Sequence, residues 1–521
     1  MPQTLLSQRF PVGEATSIQN ANRETLLSLY QRFYTPSRTT LIVVGDIDVG
    51  RIEQKIKQQF IDWKAAPQAA GVKAQSIGVV QAKTAVEAAA FFDPSLQTSV
   101  SLGMLTPQTP QPDTPALREQ EMLLDIAHGI LYRRLESQLL HSQGLYGVSL
   151  QIGPQYNIAY GTQMTLGTQE NNWQQGLALL EQTLRQALEF GFSQQEIDQQ
   201  LKRIHKGYQL SAAGSNTIHS VNIADSLVSA VASRRVPVEP EWQLALFEKL
   251  MPSITPQKLH QLFKQTWEGT PYLYLTNNKP IESIEKQLLA AYNASQKQAV
   301  KAPETKAIAE FGYSQFGEAG QIVADQRDAT TGIRKLEFAN GVRLNLKPTS
   351  FNQGLTLVSL NIGFGEVPFP ELDGLSYLFN SAFVQGGLGL HDLDSLQEIF
   401  AGQDISVSLS LREQSFGGEI STNAAELRTQ LGVLTAYLVD PGMDKQAEQL
   451  FREQVIAEQQ SIHSNPQLEF SNQFARIAHN GDKRYGYGNP DEILKRQFAE
   501  LAPSFHSAVQ QGPIELAIVG D

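Results

Sequence analysis

The chain has 521 residues, a length that exceeds one ordinary hydrophobic core and predicts about two to four domains. Its net charge of −12 argues against a nucleic-acid partner, because binding to phosphates needs clustered Lys and Arg. The lack of cysteine excludes disulfides, thiolate zinc sites and cysteine nucleophiles, and it leaves the compartment open. No apolar run approaches the roughly 20 residues that span a bilayer, and the N-terminus lacks the layout of a signal peptide.

The first predicted unit is a helix, a short strand and a second helix. The segment NRETLLSLYQRFY predicts the first helix, and the β-branched apolar run at 41–44 predicts a buried strand. Ile52, Ile56 and Phe60 then recur at helical spacing and predict the second helix.

This unit recurs along the chain. Mid-chain, TPQKLHQLFKQTW, YLYLTN and IESIEKQLLAAY predict another helix, strand and helix, and the chain ends on IELAIVGD. The turns after the three strands fall at Asp46, Asn277 and Asp521, which are 231 and 244 residues apart. At an offset of 475 residues, the first and last copies share 8 identities over 38 positions. The spacing predicts an internal repeat of domain size.

The intervening chain reads as alternating strands and helices. TSVSLGML, YGVSLQIG and NIAYGTQMTLG predict strands, and a Ser-x-x-Glu capping box at Ser193 predicts the start of a long helix. Residues 296–331 lose this periodicity and predict an inter-domain connection. A hairpin follows, in which Asn340 and Gly341 are expected to supply two turn residues with positive φ.

A search for catalytic motifs gives no constellation. The nine histidines are scattered, and no helical pair could bind zinc. The stretch GGLGLHD has no P-loop lysine. The stretch GVSLQIG misses the nucleophile elbow, because Gln151 replaces the closing glycine. No pair of carboxylates stands out as a general acid and base.

The stretch LLSLYQRFYTPSRTTLIVVGDIDVGRIEQKIKQQFIDW resembles the end of the first domain of pitrilysin-type, or insulinase-type, zinc metallopeptidases. The residues that fit the family pattern are Tyr30, Phe33, Tyr34, Pro36, Gly45, Asp46, Phe60 and Trp63. The resemblance implies homologous domains arranged in two halves. The fold class expected from it is α+β with mixed α/β layers, each domain being a mostly antiparallel sheet packed against helices.

The family resemblance also implies a zinc motif, H-x-x-E-H, with a further glutamate about 76 residues later. That motif is absent from this sequence. In the third domain, Tyr377 and Ser381 stand in place of the two histidines, Asn380 in place of the base, and Glu458 in place of the distal ligand. No catalytic or metal-binding residue is therefore assigned to this chain. The alternative for Tyr377 and Asn380 is simple helix packing with local hydrogen bonds.

If the halves are alike, the repeat offset puts the zinc motif about 100 residues before Met1 and its last ligand about 17 before. We therefore expect an internal fragment in which Met1 is not the natural start. Residues 1–80 would end the first domain, 85–295 form the second, 296–331 the connection, and 332–521 a truncated, inactive third domain.

The resemblance implies part of a zinc-dependent endopeptidase that hydrolyses peptides or small unfolded proteins. This chain would form a wall of the substrate chamber, while zinc would belong to the full-length protein and not to this fragment. A non-catalytic partner subunit or assembly protein is the alternative, and a free-standing peptide-binding module is a third. No nucleic acid or membrane span is expected. The compartment and oligomeric state stay open, although bacterial members with this layout are often periplasmic.

Overall fold

The structure is a computed structural model that describes residues 4–7, 9, 13–70, 76–303, 307–351, 354–366, 369 and 372–520. Its helices are α1 (Ala15–Gln19), α2 (Arg23–Phe33), α3 (Val49–Phe60), α4 (Pro115–Leu140), α5 (Trp173–Phe190), α6 (Gln194–Ala213), α7 (Ser220–Ser233), α8 (Pro240–Leu250), α9 (Pro256–Thr266), α10 (Ile284–Ser295), α11 (Leu375–Ala382), α12 (Leu393–Ile399), α13 (Leu427–Val439), α14 (Lys445–Ser464), α15 (Pro466–Ala478), α16 (Pro490–Ile493) and α17 (Phe498–Gln511). Of the helices in these ranges, none has the length and hydropathy needed to cross a membrane.

The strands form two sheets. They are β1 (Glu87–Phe92), β2 (Ser99–Pro107), β3 (Leu145–Gln155), β4 (Ala159–Thr168), β5 (Tyr272–Asn277), β6 (Ile322–Arg327), β7 (Arg334–Phe338), β8 (Arg343–Pro348), β9 (Thr356–Ile362), β10 (Ser410–Leu411), β11 (Phe416–Thr422) and β12 (Ile514–Gly520). Among the described residues, the first sheet has the order β1-β5-β2-β4-β3, and the second has the order β10-β11-β9-β12-β8-β7-β6.

The two sheets share one topology. In the first, β5 pairs parallel with β1 and antiparallel with β2. In the second, β12 pairs parallel with β8 and antiparallel with β9. The remaining described pairs are antiparallel. The common order confirms the internal repeat, and the mostly antiparallel sheets packed against helices confirm the predicted α+β fold class. We call residues 87–295 the first repeat and residues 343–520 the second repeat.

Each repeat has its own hydrophobic core. Apolar residues of β2, β4, β5, α4, α5 and α9 fill the first. The second is centred on four phenylalanines in close ring contact, Phe379, Phe383, Phe416 and Phe505. Burial of each such side chain stabilises the fold by about 1.5–3 kcal/mol, so either repeat can hold its helices onto its sheet.

Local signals set the helix boundaries in both repeats. The predicted capping box is present at the start of α6, where the Ser193 hydroxyl accepts from the Glu196 amide and the Glu196 carboxylate accepts from the Ser193 amide. At the starts of α4 and α9, the hydroxyls of Thr114 and Thr255 each accept a hydrogen bond from the backbone amide three residues later, without the reciprocal bond of a capping box.

The strand predicted at 41–44 is wrong. These residues have no partner strand within the described part of the chain, and Leu41 and Val43 are about half exposed. The flanking helices α2 and α3 form as predicted, yet neither contains a buried residue. A strand exists only through its hydrogen-bonded neighbours, so the apolar pattern alone does not produce one. The third predicted turn residue, Asp521, lies outside the described residues.

The connection and hairpin before the second repeat also differ from expectation. Part of the predicted connection forms β6, which pairs with β7 and extends the sheet beyond β8. In the turn between β7 and β8, Gly341 has a φ of 86°, whereas Asn340 is not left-handed and accepts a hydrogen bond from the Val342 amide. A single left-handed glycine after two turn residues therefore replaces the expected pair.

Polar contacts join the two repeats. The Ser137 hydroxyl donates to Asp394 at 2.6 Å, and Arg203 donates to the Gln397 carbonyl at 3.1 Å. Lys206 forms an ion pair with Glu426 at 3.3 Å. These contacts connect α4 and α6 of the first repeat with α12 and the start of α13 in the second.

Candidate functional site

The predicted counterpart of the zinc motif lies on α11, at the centre of the second repeat. Gly374 precedes this helix with a φ of 76°, and a Cβ there would lie 2.6 Å from Ile493 Cγ1. Glycine is therefore required for both conformation and space. Leu378 and Phe379 of α11 are fully buried, which fixes the rotation of the helix and turns Tyr377 toward α14.

Tyr377 and Glu458 meet across α11 and α14. The Tyr377 hydroxyl donates a short hydrogen bond to Glu458 Oε2, and Ser381 hydrogen-bonds to the same hydroxyl. Burial of the ring and the neighbouring Glu458 carboxylate both raise the pKa of Tyr377. The phenol therefore stays protonated and acts as a donor at physiological pH.

Asn380 has a different partner. Its Oδ1 accepts from the Leu411 amide at 2.7 Å, and its Nδ2 donates to the Leu411 carbonyl at 3.4 Å. These bonds attach α11 to the backbone of β10. The structure thus brings Tyr377, Ser381 and Glu458 together, while Asn380 serves the contact between helix and sheet.

This group of side chains does not fit zinc. Zinc sites use imidazole, thiolate or carboxylate donors, and here Glu458 is the single such donor beside a protonated phenol and a serine hydroxyl. Within the described ranges, no cluster of three or more His, Cys, Asp or Glu side chains could hold a metal ion. We derive no zinc chemistry from these residues.

A small cavity opens beside Tyr377 and Glu458. It has a volume of about 180 Å³, and Ile462, Leu468 and Tyr487 complete its wall. The ring centroids of Tyr377 and Tyr487 are 6.3 Å apart, with their planes at 85°. We call this the tyrosine cavity. No sequence pattern singles out Tyr487 as a site residue.

The loop that carries Tyr487 is held by specific contacts. The Tyr487 amide donates to Asn472 Oδ1 at 2.8 Å, and the Asn489 amide donates to Asp373 Oδ2 at 3.3 Å. Gly488 has a φ of 77°, a backbone conformation that favours glycine. The loop therefore presents the Tyr487 ring at a defined position next to α11.

Three histidines of the first repeat have neighbours other than histidine. His128 is buried against Phe263 and Trp267, and desolvation lowers its pKa to about 4. His260 contacts the Leu188 carbonyl at 2.8 Å, and His205 is 2.9 Å from Glu248. None of these three contacts brings two histidines to one site.

A cleft of about 320 Å³ lies between the repeats. Arg134, which lines it, forms a double hydrogen bond with Glu196 at 2.7 and 2.9 Å. Burial would raise the pKa of Glu196, but the hydrogen bonds and charge of Arg134, together with Ser193, lower it overall. The cleft thus lies at the boundary between the repeats, and its lining carries both acidic and basic side chains.

This chain is similar to several known peptidases. The family described as "Peptidase M16 inactive domain" matches residues 20–204. A curated relative, the probable zinc protease PqqL of Escherichia coli, is 22% identical over 419 residues, covering 77% of this chain and 43% of the relative. The chain thus spans less than half the length of that relative.

Solved structures share the fold. A mutant of the ferredoxin protease FusC, in complex with Arabidopsis ferredoxin, aligns with a TM-score of 0.63 and 12% identity. The periplasmic protease PqqL of Escherichia coli aligns with a TM-score of 0.50 and 17% identity. Each alignment covers 100% of this chain and 58% of the other. These findings confirm the predicted resemblance: the chain is similar to pitrilysin- and insulinase-type peptidases, and its residues 20–204 match the peptidase M16 inactive domain.

Proposed function

We propose that this chain is the non-catalytic part of a zinc-dependent endopeptidase that hydrolyses peptides or small unfolded proteins. The observation that carries the proposal is the contact between Tyr377 and Glu458. It lies at the positions that the family resemblance assigns to the zinc motif, in a repeat whose sheet has counterparts of all five strands of the first sheet. A domain with an intact fold and an altered metal site is suited to binding substrate, and we assign it to the wall of the substrate chamber.

The zinc site itself is proposed to lie in a segment that precedes residues 1–80 in a longer protein. The exposed apolar residues of α2 and α3 support this assignment, because the equivalent helices α9 and α10 bury apolar residues in the core of the first repeat. Leu26 is 61% exposed, and Tyr30 is 54% exposed. A catalytic domain in contact with this unit would cover both.

The names of the relatives are compatible with a substrate of this class. One is called a probable zinc protease, and another is a ferredoxin protease solved with a ferredoxin. We propose the same general class, a peptide or small protein, for the longer form of this protein. Zinc would bind in that longer form and not at Tyr377 and Glu458.

A test of the proposal compares this chain with a longer form that includes about 120 preceding codons. After dialysis, zinc per protein is measured by mass spectrometry, and cleavage of a quenched fluorescent peptide library is followed. We expect less than one tenth of a zinc ion per molecule, and no cleavage, for the 521-residue chain; these levels are roughly those of adventitious metal. The longer form should bind one zinc and cleave. Chelator-sensitive cleavage by the 521-residue chain would overturn the proposal.

The alternative is a non-catalytic partner subunit or assembly protein. The altered residues Tyr377, Asn380 and Ser381 favour it equally, because a wholly inactive protein would carry the same substitutions. The preceding codons separate the two functions. An intact H-x-x-E-H followed after 77 positions by a glutamate indicates the peptidase, and a second altered motif indicates the partner subunit.

A further inference from the structure

The first repeat contains a cavity that the functions proposed above do not use. It lies between the end of β2, the turn that joins β3 and β4, the start of α4, and the C-terminal ends of α7 and α9. Its volume of about 860 Å³ is in the range of pockets that bind small organic ligands. We call it the α7 cavity.

The charged lining of the α7 cavity leaves one cation without a partner. The charged side chains of this lining are those of Glu121, Arg234 and Arg235. Arg235 forms a double hydrogen bond with Glu121 at 2.8 and 2.5 Å, so these two charges compensate each other. The exposed Arg234 side chain forms neither an ion pair nor a hydrogen bond with any residue that the structure describes. A further carboxylate of α4, Asp125, lines an adjoining cavity instead. The α7 cavity therefore carries one uncompensated positive charge.

Backbone contacts fix the loop that carries Arg234. The Val236 amide donates to Asp113 Oδ2 at 2.7 Å, and the Val236 carbonyl accepts from Arg118 at 2.5 Å. Arg118 is itself held by the Asp113 carboxylate at 2.9 and 2.5 Å. The cavity wall is thus formed before a ligand arrives, which lowers the entropic cost of binding.

Residues with a left-handed backbone border the same cavity. Arg234, which follows α7, has a φ of 58°, and Tyr156 and Asn157, in the turn between β3 and β4, have φ values of 51° and 57°. They are three of the six left-handed residues other than glycine in the described ranges. This conformation costs a residue such as Tyr or Arg about 1–2 kcal/mol, and backbone strain is concentrated at ligand sites. Its presence at two walls of one cavity favours a binding role.

Polar amides and apolar side chains complete the lining. Four glutamines make no side-chain hydrogen bond with a described residue: Gln108, Gln111, Gln120 and Gln265. Apolar surface is supplied by Pro107, Pro110, Leu117 and Leu262. A side-chain amide both donates and accepts, so it can pair with the N–H and C=O groups of an extended peptide backbone.

Other classes of ligand fit less well. A cation would be repelled by Arg234, and the charge of Glu121 is already compensated by Arg235. A purely apolar molecule would bury the glutamine amides without hydrogen-bond partners, which is unfavourable. A nucleic acid needs clustered cations, and the net charge of −12 opposes it.

We propose that the α7 cavity binds a peptide that bears a carboxylate, and that Arg234 recognises this group. An acidic side chain and a free C-terminus present the same chemistry, which a guanidinium binds through two parallel hydrogen bonds. The glutamine amides bind the peptide backbone. This inference rests on the peptide class of the proposed function, and it adds a charge preference and a site in the first repeat.

The first experiment compares two pairs of tripeptides on the full 521-residue chain. N-acetyl-Ala-Leu-Glu amide is compared with its Gln analogue, and N-acetyl-Ala-Leu-Ala with a free C-terminus is compared with its amide. Binding is measured by titration calorimetry and saturation-transfer NMR. We expect the acidic member of at least one pair to bind roughly fivefold more tightly than its neutral partner. The pair that shows the difference identifies the source of the carboxylate.

Equal affinities within both pairs, or no binding of either acidic peptide, overturn the inference. The measurement needs neither zinc nor cleavage, whereas the proposed function is tested by zinc content and cleavage in the longer form. Failure of the one is therefore distinguishable from failure of the other.

The second experiment assigns the charge preference to Arg234. Arg234→Asn removes the charge, and asparagine tolerates the left-handed backbone, so acidic and neutral peptides should then bind equally. Arg234→Lys keeps the charge without the paired hydrogen bonds and should retain part of the preference. The control, Arg428→Gln, removes an exposed arginine of α13 and should leave the preference unchanged. A preference that persists in Arg234→Asn, or that is lost equally in Arg428→Gln, contradicts the assignment.

A third experiment locates the binding site with two substitutions on α7. Ala232→Trp fills part of the cavity and should weaken acidic and neutral peptides alike, roughly tenfold. Ser226→Trp adds the same ring to an exposed position of α7 outside the lining and should change neither affinity. Thermal melting checks that each variant is folded, and the paired peptides on the unaltered chain decide the inference if one is not. Equal effects of the two substitutions would place the peptide elsewhere and contradict the inference.

Discussion

Two copies of one structural unit, residues 23–60 and residues 256–295, have the same sequence pattern and different surroundings. The helices α2 and α9 each have 11 residues, and α3 and α10 each have 12. Between α9 and α10, β5 lies inside the first sheet. Between α2 and α3, the corresponding residues pair with no strand in the described part of the chain.

Burial separates the two copies. Leu259 of α9 is fully buried, whereas Leu26, at the matching position of α2, is 61% exposed. Capping is the same in both, since the Asn22 and Thr255 side chains each accept a hydrogen bond from a backbone amide of the first turn. Local sequence is therefore enough to define the two helices, while the strand between them requires a sheet.

The largest contrast is expected from truncating the matched leucines. Leu259→Ala leaves a cavity in a packed core and should lower the free energy of unfolding of the first repeat by about 2–5 kcal/mol. Leu26→Ala removes an exposed side chain and should change it by less than about 0.5 kcal/mol. Urea unfolding followed by tryptophan fluorescence measures both. Similar losses in the two variants would show that α2 is packed in solution.

The second-largest contrast is expected on acidification, which should destabilise the buried copy, residues 256–295. His128 packs on Phe263 and Trp267, at the end of α9, and burial lowers its pKa from 6.5 to about 4. Because the folded pKa is depressed, the unfolded state binds more protons between these pH values, and stability falls as pH drops from 6.5 to about 4. The expected loss is about 3 kcal/mol.

Unfolding midpoints recorded across that pH range test this effect. His128→Asn should remove most of the pH dependence, because the amide can replace the ring N–H donor without taking up a proton. His205→Gln is the control, since His205 is only partly buried beside Glu248. An unchanged pH profile in His128→Asn would show that another group dominates.

The smallest expected contrast concerns the helix caps. Thr255→Ala removes the cap of α9 and should cost about 1 kcal/mol in the unfolding of the first repeat. Asn22→Ala removes the cap of α2, with an effect limited to the helix content of residues 23–33. Urea unfolding and hydrogen exchange of the two helices distinguish these outcomes. A global loss of stability from Asn22→Ala would contradict the independence of the exposed copy.

The sequence predicts elements well where local signals dominate. The bounds of β5 agree with the predicted segment, and the capping box of α6 is confirmed. The strand predicted at 41–44 is wrong, because a strand needs hydrogen-bonded partner strands that are distant in the sequence. β6 was missed because most of its side chains are exposed, so it has no apolar alternation.

The site was only partly accessible from sequence. The family resemblance singled out Tyr377, Ser381 and Glu458, and the structure brings these three side chains into contact. Their descent from a zinc motif stays a prediction. Tyr487 reaches the same place through a loop that follows α15, and the path of that loop depends on Asn472 and Asp373. No periodic pattern encodes such a tertiary contact.

The position of β12 has a consequence for the time course of folding. This strand, at 514–520, is inserted between β8 and β9, which begin about 160 residues earlier. During synthesis, β8 and β9 emerge first, and β12, which pairs with both, is synthesised roughly 10–30 seconds later at common translation rates. The edges of β8 and β9 that pair with β12 therefore stay exposed through most of the synthesis of the second repeat. A ribosome-associated chaperone could bind them during this interval.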